Sequence, residues 1–245
     1  MTTFTASHPA EDKMPIFQLT NDILFPPVSL AEESGLLAIG GDLSAERLLC
    51  AYRQGIFPWF SEGDPLLWWF TSPRLVIFPE EFHVPKRVAR YQRKNNLTIT
   101  GDLAFTEVMH QCATVRKETG DGTWIVGEMM EAYKRLHLLG YAHSVECWQN
   151  EQLVGGLYGV SLGKVFFGES MFSRISCGSQ FALIALVEYL KRESYKMIDC
   201  QMTTNHLLRF GAREIDGSEF HTMLKLYIGD ISPQGHWMGN EKNTK

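Results

Sequence analysis

The sequence has no run of about 18 consecutive apolar residues, so no segment reads as a membrane-spanning helix. Its opening stretch, MTTFTASHPAEDKMP, has no apolar middle and does not read as a secretory signal, so the expectation is a cytoplasmic protein. Pairs spaced as Cys-x-x-Cys or His-x-x-x-His are missing, which argues against a structural zinc site. The five cysteines (50, 112, 147, 177 and 200) are odd in number and widely spaced, as expected of reduced thiols rather than disulfides. Neither a Walker-type loop nor Gly-x-Gly-x-x-Gly occurs, so neither ATP nor a dinucleotide is indicated. No Gly-x-Ser-x-Gly elbow is present, none of Cys50, Cys112 and Cys147 reads as having a neighbouring base, and Cys177 and Cys200 read as core or loop residues, which disfavours covalent catalysis. The expectation is an activity with no metal and no cofactor.

Positive charge is also scarce: 23 Lys and Arg stand against 28 Asp and Glu, a net charge of −5, which does not suggest a nucleic-acid partner. One stretch departs from this average. In FHVPKRVARYQRKNN a helix starting near Pro85 would gather Lys86, Arg87, Arg90, Arg93 and Lys94 within an arc of about 120° at roughly 100° per residue. Val88, Ala89 and Tyr91 lie outside that arc and would pack on the protein. Such a stripe is either a solvated helix face or a patch that tracks phosphates.

At 245 residues the chain can bury a substantial core. Residues 1–15 read as a polar tail, 16–72 as a small N-terminal domain and 73–245 as a larger second one. In the first, Ser44 is placed to cap a helix carrying Leu48, Leu49 and Tyr52 and stopped by Gly55, before an aromatic hairpin with Trp59, Trp68 and Trp69. In the second, helices over about 102–118 and 127–139 precede three strands, HSVECWQ, LVGGLYGVSL and KVFFGESMFS, joined at Asn150–Glu151 and Gly163–Lys164. A helix capped by Ser179, the short strand MIDCQ and the short helix TNHLLRF follow. This order reads as an α+β, acetyltransferase-like (GNAT-type) domain with a mixed sheet flanked by helices.

Chemistry concentrates in two of these strands. Glu169 sits mid-strand behind Gly168 among apolar neighbours, where an unpaired carboxylate costs several kcal/mol. In MIDCQ the period of two puts Asp199 and Gln201 on one face, either to tie down neighbouring backbone or to form a polar floor with Glu169. Leu157, Phe166, Gly168 and Met171 would supply an apolar wall, provided a twist or bulge at Gly168 overrides strict alternation. His206 is a candidate base, though a histidine at a helix start is commonly structural. With no nucleophile, the chemistry left is direct transfer between two bound substrates.

The blocks GLLAIGGDLSAERLLCAYRQGIFPWFSEGDPLLWW, GTWIVGEMMEAYKRLHLLGYAHSVE, VGGLYGVSLGKVFFGESMFS and IDCQMTTNHLLRFGA resemble, in order and spacing, the bacterial leucyl/phenylalanyl-tRNA–protein transferases. The resemblance implies transfer of Leu or Phe, and Met less well, from charged tRNA to the N-terminal Arg or Lys of a protein, marking it for N-end-rule degradation. It places Glu169, Asp199 and Gln201 at the catalytic centre. Tyr52, Trp59, Trp124, Tyr133, Leu157, Phe166, Gly168, Met171 and Ile198 fall at its adenosine and aminoacyl sites. It makes the stripe Lys86, Arg87, Arg90, Arg93 and Lys94 a tRNA-backbone contact. The expected partners are Leu-tRNA, Phe-tRNA and proteins with N-terminal Arg or Lys, with no membrane and nothing that demands more than a monomer. This chain departs from the family pattern at Gln180, where a lysine is usual, and at Asp216–Gly217. Two other readings remain: an acyl-CoA-dependent N-acyltransferase, whose pyrophosphate loop is absent, and a non-catalytic RNA-binding module.

Overall fold

The computed structural model describes residues 16–119, 124–229 and 237–238. Strands β1 (Phe17–Leu19), β2 (Leu36–Gly40), β3 (Phe57–Pro58) and β4 (Leu67–Trp69) form a four-stranded sheet in the order β1-β2-β4-β3. Helix α1 (Ala45–Arg53) lies between β2 and β3. Ser44 caps it as its position leads one to expect, its Oγ accepting from the Arg47 amide (3.3 Å). The helix stops where Gly55 adopts φ +76°, which a residue without Cβ does at little cost.

The larger sheet runs β11-β5-β10-β9-β8-β7-β6. Its members are β5 (Arg74–Ile77), β6 (Thr98–Gly101), β7 (Ala142–Gln149), β8 (Gln152–Leu162), β9 (Val165–Ser173), β10 (Met197–Asp199) and β11 (Arg213–Ile215). Only the β9–β10 pair is parallel, so the sheet is mixed. The meander turns fall at Asn150–Glu151, both with positive φ, and at Gly163. Helices α3 (Phe105–Thr119) and α4 (Gly127–Leu138) cover one face and α5 (Gly178–Arg192) the other. Both faces being covered, β8 is buried from Val154 to Leu162. The basic helix α2 (Lys86–Gln92) joins the α5 side, with Val88 buried and Tyr91 stacked on Phe181 at 6.0 Å. The short helix α6 (Asn205–Leu208) follows β10, and α7 (Gly217–Ile228) packs on α1 and β9. The chain is thus α+β, with the mixed sheet flanked by helices.

One cap differs from expectation. Cys177, at φ +66°, occupies the N-cap of α5 and offers no side-chain bond. Ser179 lies within the first turn, and its amide donates to the Oγ of Ser173 on β9 (2.8 Å). The hydroxyl that satisfies this helix start comes from the preceding strand, not from the helix's own flank.

Candidate active site

The pairing of β8 with β9 slips by one residue: Tyr158 faces Ser170, but Gly159 faces Gly168, leaving Glu169 as the extra residue of a β-bulge. The bulge resolves the alternation problem in the sequence. It turns Phe166, Gly168 and Met171 to the face that carries Leu157, while Phe167 and Glu169 turn to the opposite face, toward Tyr52 and Tyr133. Beside this bulge β10 ends at Asp199, so from Gly168 onward β9 is hydrogen-bonded to β8 alone among the described strands. A cavity of about 350 Å³ opens in the gap.

Its apolar wall is Leu157, Phe166, Gly168, Met171 and Ile198, backed by Leu183 and Leu186 of α5. Trp59 and Trp124 flank it from the N-terminal sheet and from the approach to α4, and Glu169 and Gln201 supply polar groups. His206 also lines it, with its pKa lowered by burial and by Arg209, so that the imidazole is neutral at pH 7. Three sequence-named residues, Tyr52, Tyr133 and Asp199, stand behind this lining instead of in it; all are buried.

Tyr52 and Tyr133 reach the site through Glu169. Their hydroxyl oxygens lie 2.7 Å from its Oε1 and 2.8 Å from its Oε2 and also contact each other; two hydroxyl protons serve two of these three contacts, and the proton of the neutral Glu169 carboxyl supplies the third. The carboxylate is therefore not unpartnered. Burial nevertheless pushes its pKa up to about 7 against the tyrosine bonds, which pull it down. Folded Glu169 thus keeps its proton up to about pH 7, whereas the unfolded chain loses it near the ordinary value of 4.5. The stability this contributes is fully present below that value and is lost as pH rises through 7. We expect Glu169→Gln to flatten the fall in urea midpoint between about pH 5 and about pH 8, and an unchanged fall would refute the shifted titration.

Asp199 is held by a residue that the sequence analysis passed over. Arg74 on β5 forms a two-pronged pair with it, Nε to Oδ1 and Nη2 to Oδ2, both 2.7 Å, with both side chains shut away from solvent. The same guanidinium donates to Gly55 O (3.0 Å) and lies over the rings of Phe57 (4.8 Å) and Phe220 (4.6 Å). The sequence does hold a signal, one cation at the head of the otherwise apolar strand RLVI, but nothing in it names the partner.

Gln201 does not continue the strand. β10 ends at Asp199, and Gln201 takes φ +55°, a conformation costing about 1–3 kcal/mol outside glycine and found most at functional sites. Its amide donates to Asp199 Oδ1 (3.0 Å) and its Nε2 faces Asp199 Oδ2 at 3.4 Å. The turn keeps the two side chains together, as alternation along a strand predicts, though by a local hydrogen bond. With Nε2 committed to the carboxylate, Oε1 is the end of the amide left to accept, and no described residue donates to it.

The five stripe cations, Lys86 to Lys94, are exposed, and no carboxylate among the described residues pairs with them. The regular helix ends at Gln92, so Arg93 is its C-cap and Lys94 belongs to the following turn. Among the described residues, no group of three or more His, Cys, Asp or Glu could hold a metal ion, and no helix is long and apolar enough to cross a membrane.

Residues 76–225 match the family described as leucyl/phenylalanyl-tRNA protein transferase, and residues 41–72 match the N-terminal domain of that family. A leucyl/phenylalanyl-tRNA–protein transferase of Desulfotalea psychrophila is 57% identical over 224 residues, 91% of this chain and 99% of that protein. Its counterpart in Syntrophobacter fumaroxidans is 54% identical over 92% of this chain and 97% of its own length. Among solved structures, L-PGS from Bacillus licheniformis overlays 80% of this chain and 73% of its own at 12% identity, with a TM-score of 0.40.

Proposed function

The chain belongs to the leucyl/phenylalanyl-tRNA–protein transferases, and from that membership we propose that it moves Leu or Phe from charged tRNA to the N-terminal Arg or Lys of an acceptor protein. The observation that carries this reading is the cavity at the β9–β10 gap, where an apolar wall faces Gln201, with Asp199 and Arg74 locked behind it. An aminoacyl ester is already activated. What remains is to deliver a neutral amine and to move one proton. An α-amino group has an unperturbed pKa of about 7.7–8.0, so a useful fraction is neutral near pH 7.

In the proposed sequence the acceptor amine donates an N–H to Gln201 Oε1 and attacks the ester carbonyl. The new N–C bond forms as the C–O bond to the terminal ribose breaks, and the proton lost by the amine passes through the neighbouring ribose hydroxyl to the departing ribose oxygen. Asp199 fixes the orientation of the Gln201 amide, and Arg74 fixes Asp199. Trp59 and Trp124 supply flat surfaces for the terminal adenosine. Leu157, Phe166, Gly168, Met171 and Ile198 take the donor side chain, and the tolerance of both Leu and Phe follows from a pocket that discriminates a methylene by only about 1–3 kcal/mol. Glu169, ionised when a cation arrives, is the dock for the acceptor's guanidinium or ammonium. Glu169→Gln should erode the preference for Arg and Lys over neutral N-terminal residues, and an unchanged preference would remove it from that role.

The stripe on α2 is proposed to hold the tRNA backbone, which explains how an acidic protein reads an amino acid without reading bases. Reversing Arg90 and Arg93 to Glu should weaken tRNA binding and lower the slope of log K against log salt by about 1–2, as expected when roughly two phosphate contacts are lost. Binding unaffected by either reversal would make the stripe a solvated face. The decisive experiment for the function is incubation with labelled Leu-tRNA and a protein bearing N-terminal Arg, without CoA or ATP. Label in the acceptor supports the reading; tRNA binding without transfer would point to an RNA-binding module.

A further inference from the structure

Trp237 lies twelve residues past residue 225, where the family match ends, yet it is buried in the larger domain (5% exposed). Its indole stacks on Phe166 of β9, ring centroids 5.5 Å apart and planes 20° from parallel. On β7 it stacks on His143 (4.2 Å, 14°), and Tyr189 of α5 meets it edge-on at 4.8 Å. Its Nε1–H donates to Ser144 O (3.2 Å), which fixes the ring's position as well as its plane.

Phe166 is one of the residues of the cavity wall and is wholly buried. Its ring lies over Gly159 on β8, where a Cβ would come within 2.6 Å of Phe166 Cε1. Phe166 is paired with Ser161 on β8, but its ring extends over Gly159, which pairs across the sheet with His143, so at that position β8 has no side chain between the ring and β7. The indole standing against His143 fills that way out.

We infer that Trp237 is a specificity-determining positioning residue: it blocks Phe166 from leaning toward β7, fixes the depth of the donor side-chain pocket, and so sets the ratio of Phe to Leu transferred. The inference rests on the donor reading above. A large-to-small change at position 237 leaves space that the neighbours partly fill, and Phe166 is the neighbour whose movement enlarges the pocket. A deeper pocket favours the bulkier donor, because binding in an apolar pocket follows the contact area it offers.

The test compares wild type, Trp237→Phe and Trp237→Ala by kcat/KM with Phe-tRNA and with Leu-tRNA, using one acceptor with N-terminal Arg, alongside the thermal midpoint of each protein. The Phe:Leu ratio should rise about 5–10-fold in Trp237→Ala and about 3–4-fold in Trp237→Phe. Adding Trp237→Phe to Phe166→Leu should shift the ratio no further. A merely structural tryptophan would lower both donors together, and a ratio within about twofold of wild type in the variants that fold would overturn the inference. Should Trp237→Ala fail to fold, Trp237→Phe, which keeps an aromatic ring, decides by the same criterion. Transfer from neither donor by the wild type is a distinct result, and it would refute the donor reading and this inference with it.

Discussion

Replacing Asp199 by Ala is expected to remove both transfer and a large part of the protein's stability. The carboxylate and its partner Arg74 are buried, and the two bonds between them are short and parallel. Removing one member leaves a guanidinium stranded in the interior, which typically costs about 3–5 kcal/mol. Two π faces, of Phe57 and Phe220, and Gly55 O still hold the cation, but none carries a countercharge. Urea unfolding would register the loss. A drop below about 1 kcal/mol would mean that water or another group takes over the guanidinium. Replacing both partners with apolar residues, Arg74→Met with Asp199→Leu, should restore much of the stability while leaving transfer absent. This separates the work of the pair in the fold from its work at Gln201.

Gln201→Ala should show the opposite balance. Transfer should fall by about two to three orders of magnitude, in the range lost when one well-placed proton-handling or polar group is deleted. Stability should change by less than about 1 kcal/mol, because the side chain is only half-buried and the backbone strain at φ +55° is present with either residue. The measurement is single-turnover transfer from Leu-tRNA under saturating acceptor, with the urea midpoint as control. Near-wild-type transfer would remove Gln201 from the mechanism and leave the cavity as a binding site only. Asp199→Ala and Gln201→Ala should therefore be alike in activity and unlike in stability.

Local chemistry made much of this molecule legible in its sequence. Ser44 and Gly55 mark the ends of α1, Asn150–Glu151 and Gly163 mark the meander turns, and the conflict between Phe166 and Met171 under strict alternation points to the bulge beside Gly168. Each of these is decided within a few residues. What the sequence hides is decided across distance. Arg74 and Asp199 are 125 positions apart, and Glu169 draws its two hydroxyls from positions 117 and 36 residues away. No pattern of period two or 3.6 encodes such meetings. The α5 cap is hidden for a different reason: Ser173 and Ser179 are only six residues apart, and the path of the strand-to-helix turn decides which of them caps the other's amide.

Arg74 lies in the short gap between the two stretches that match the family, residues 41–72 and 76–225, where a biologist dividing the protein into parts would cut. It donates hydrogen bonds to both sides of that gap, to Gly55 O before it and to Asp199 after it. A cut there would therefore separate more than two shapes. A cut before Arg74 would take from its guanidinium the Gly55 O and the Phe57 ring, and a cut after it would strip the second piece of the counterion for its own aspartate, so the buried pair is complete only in the joined chain.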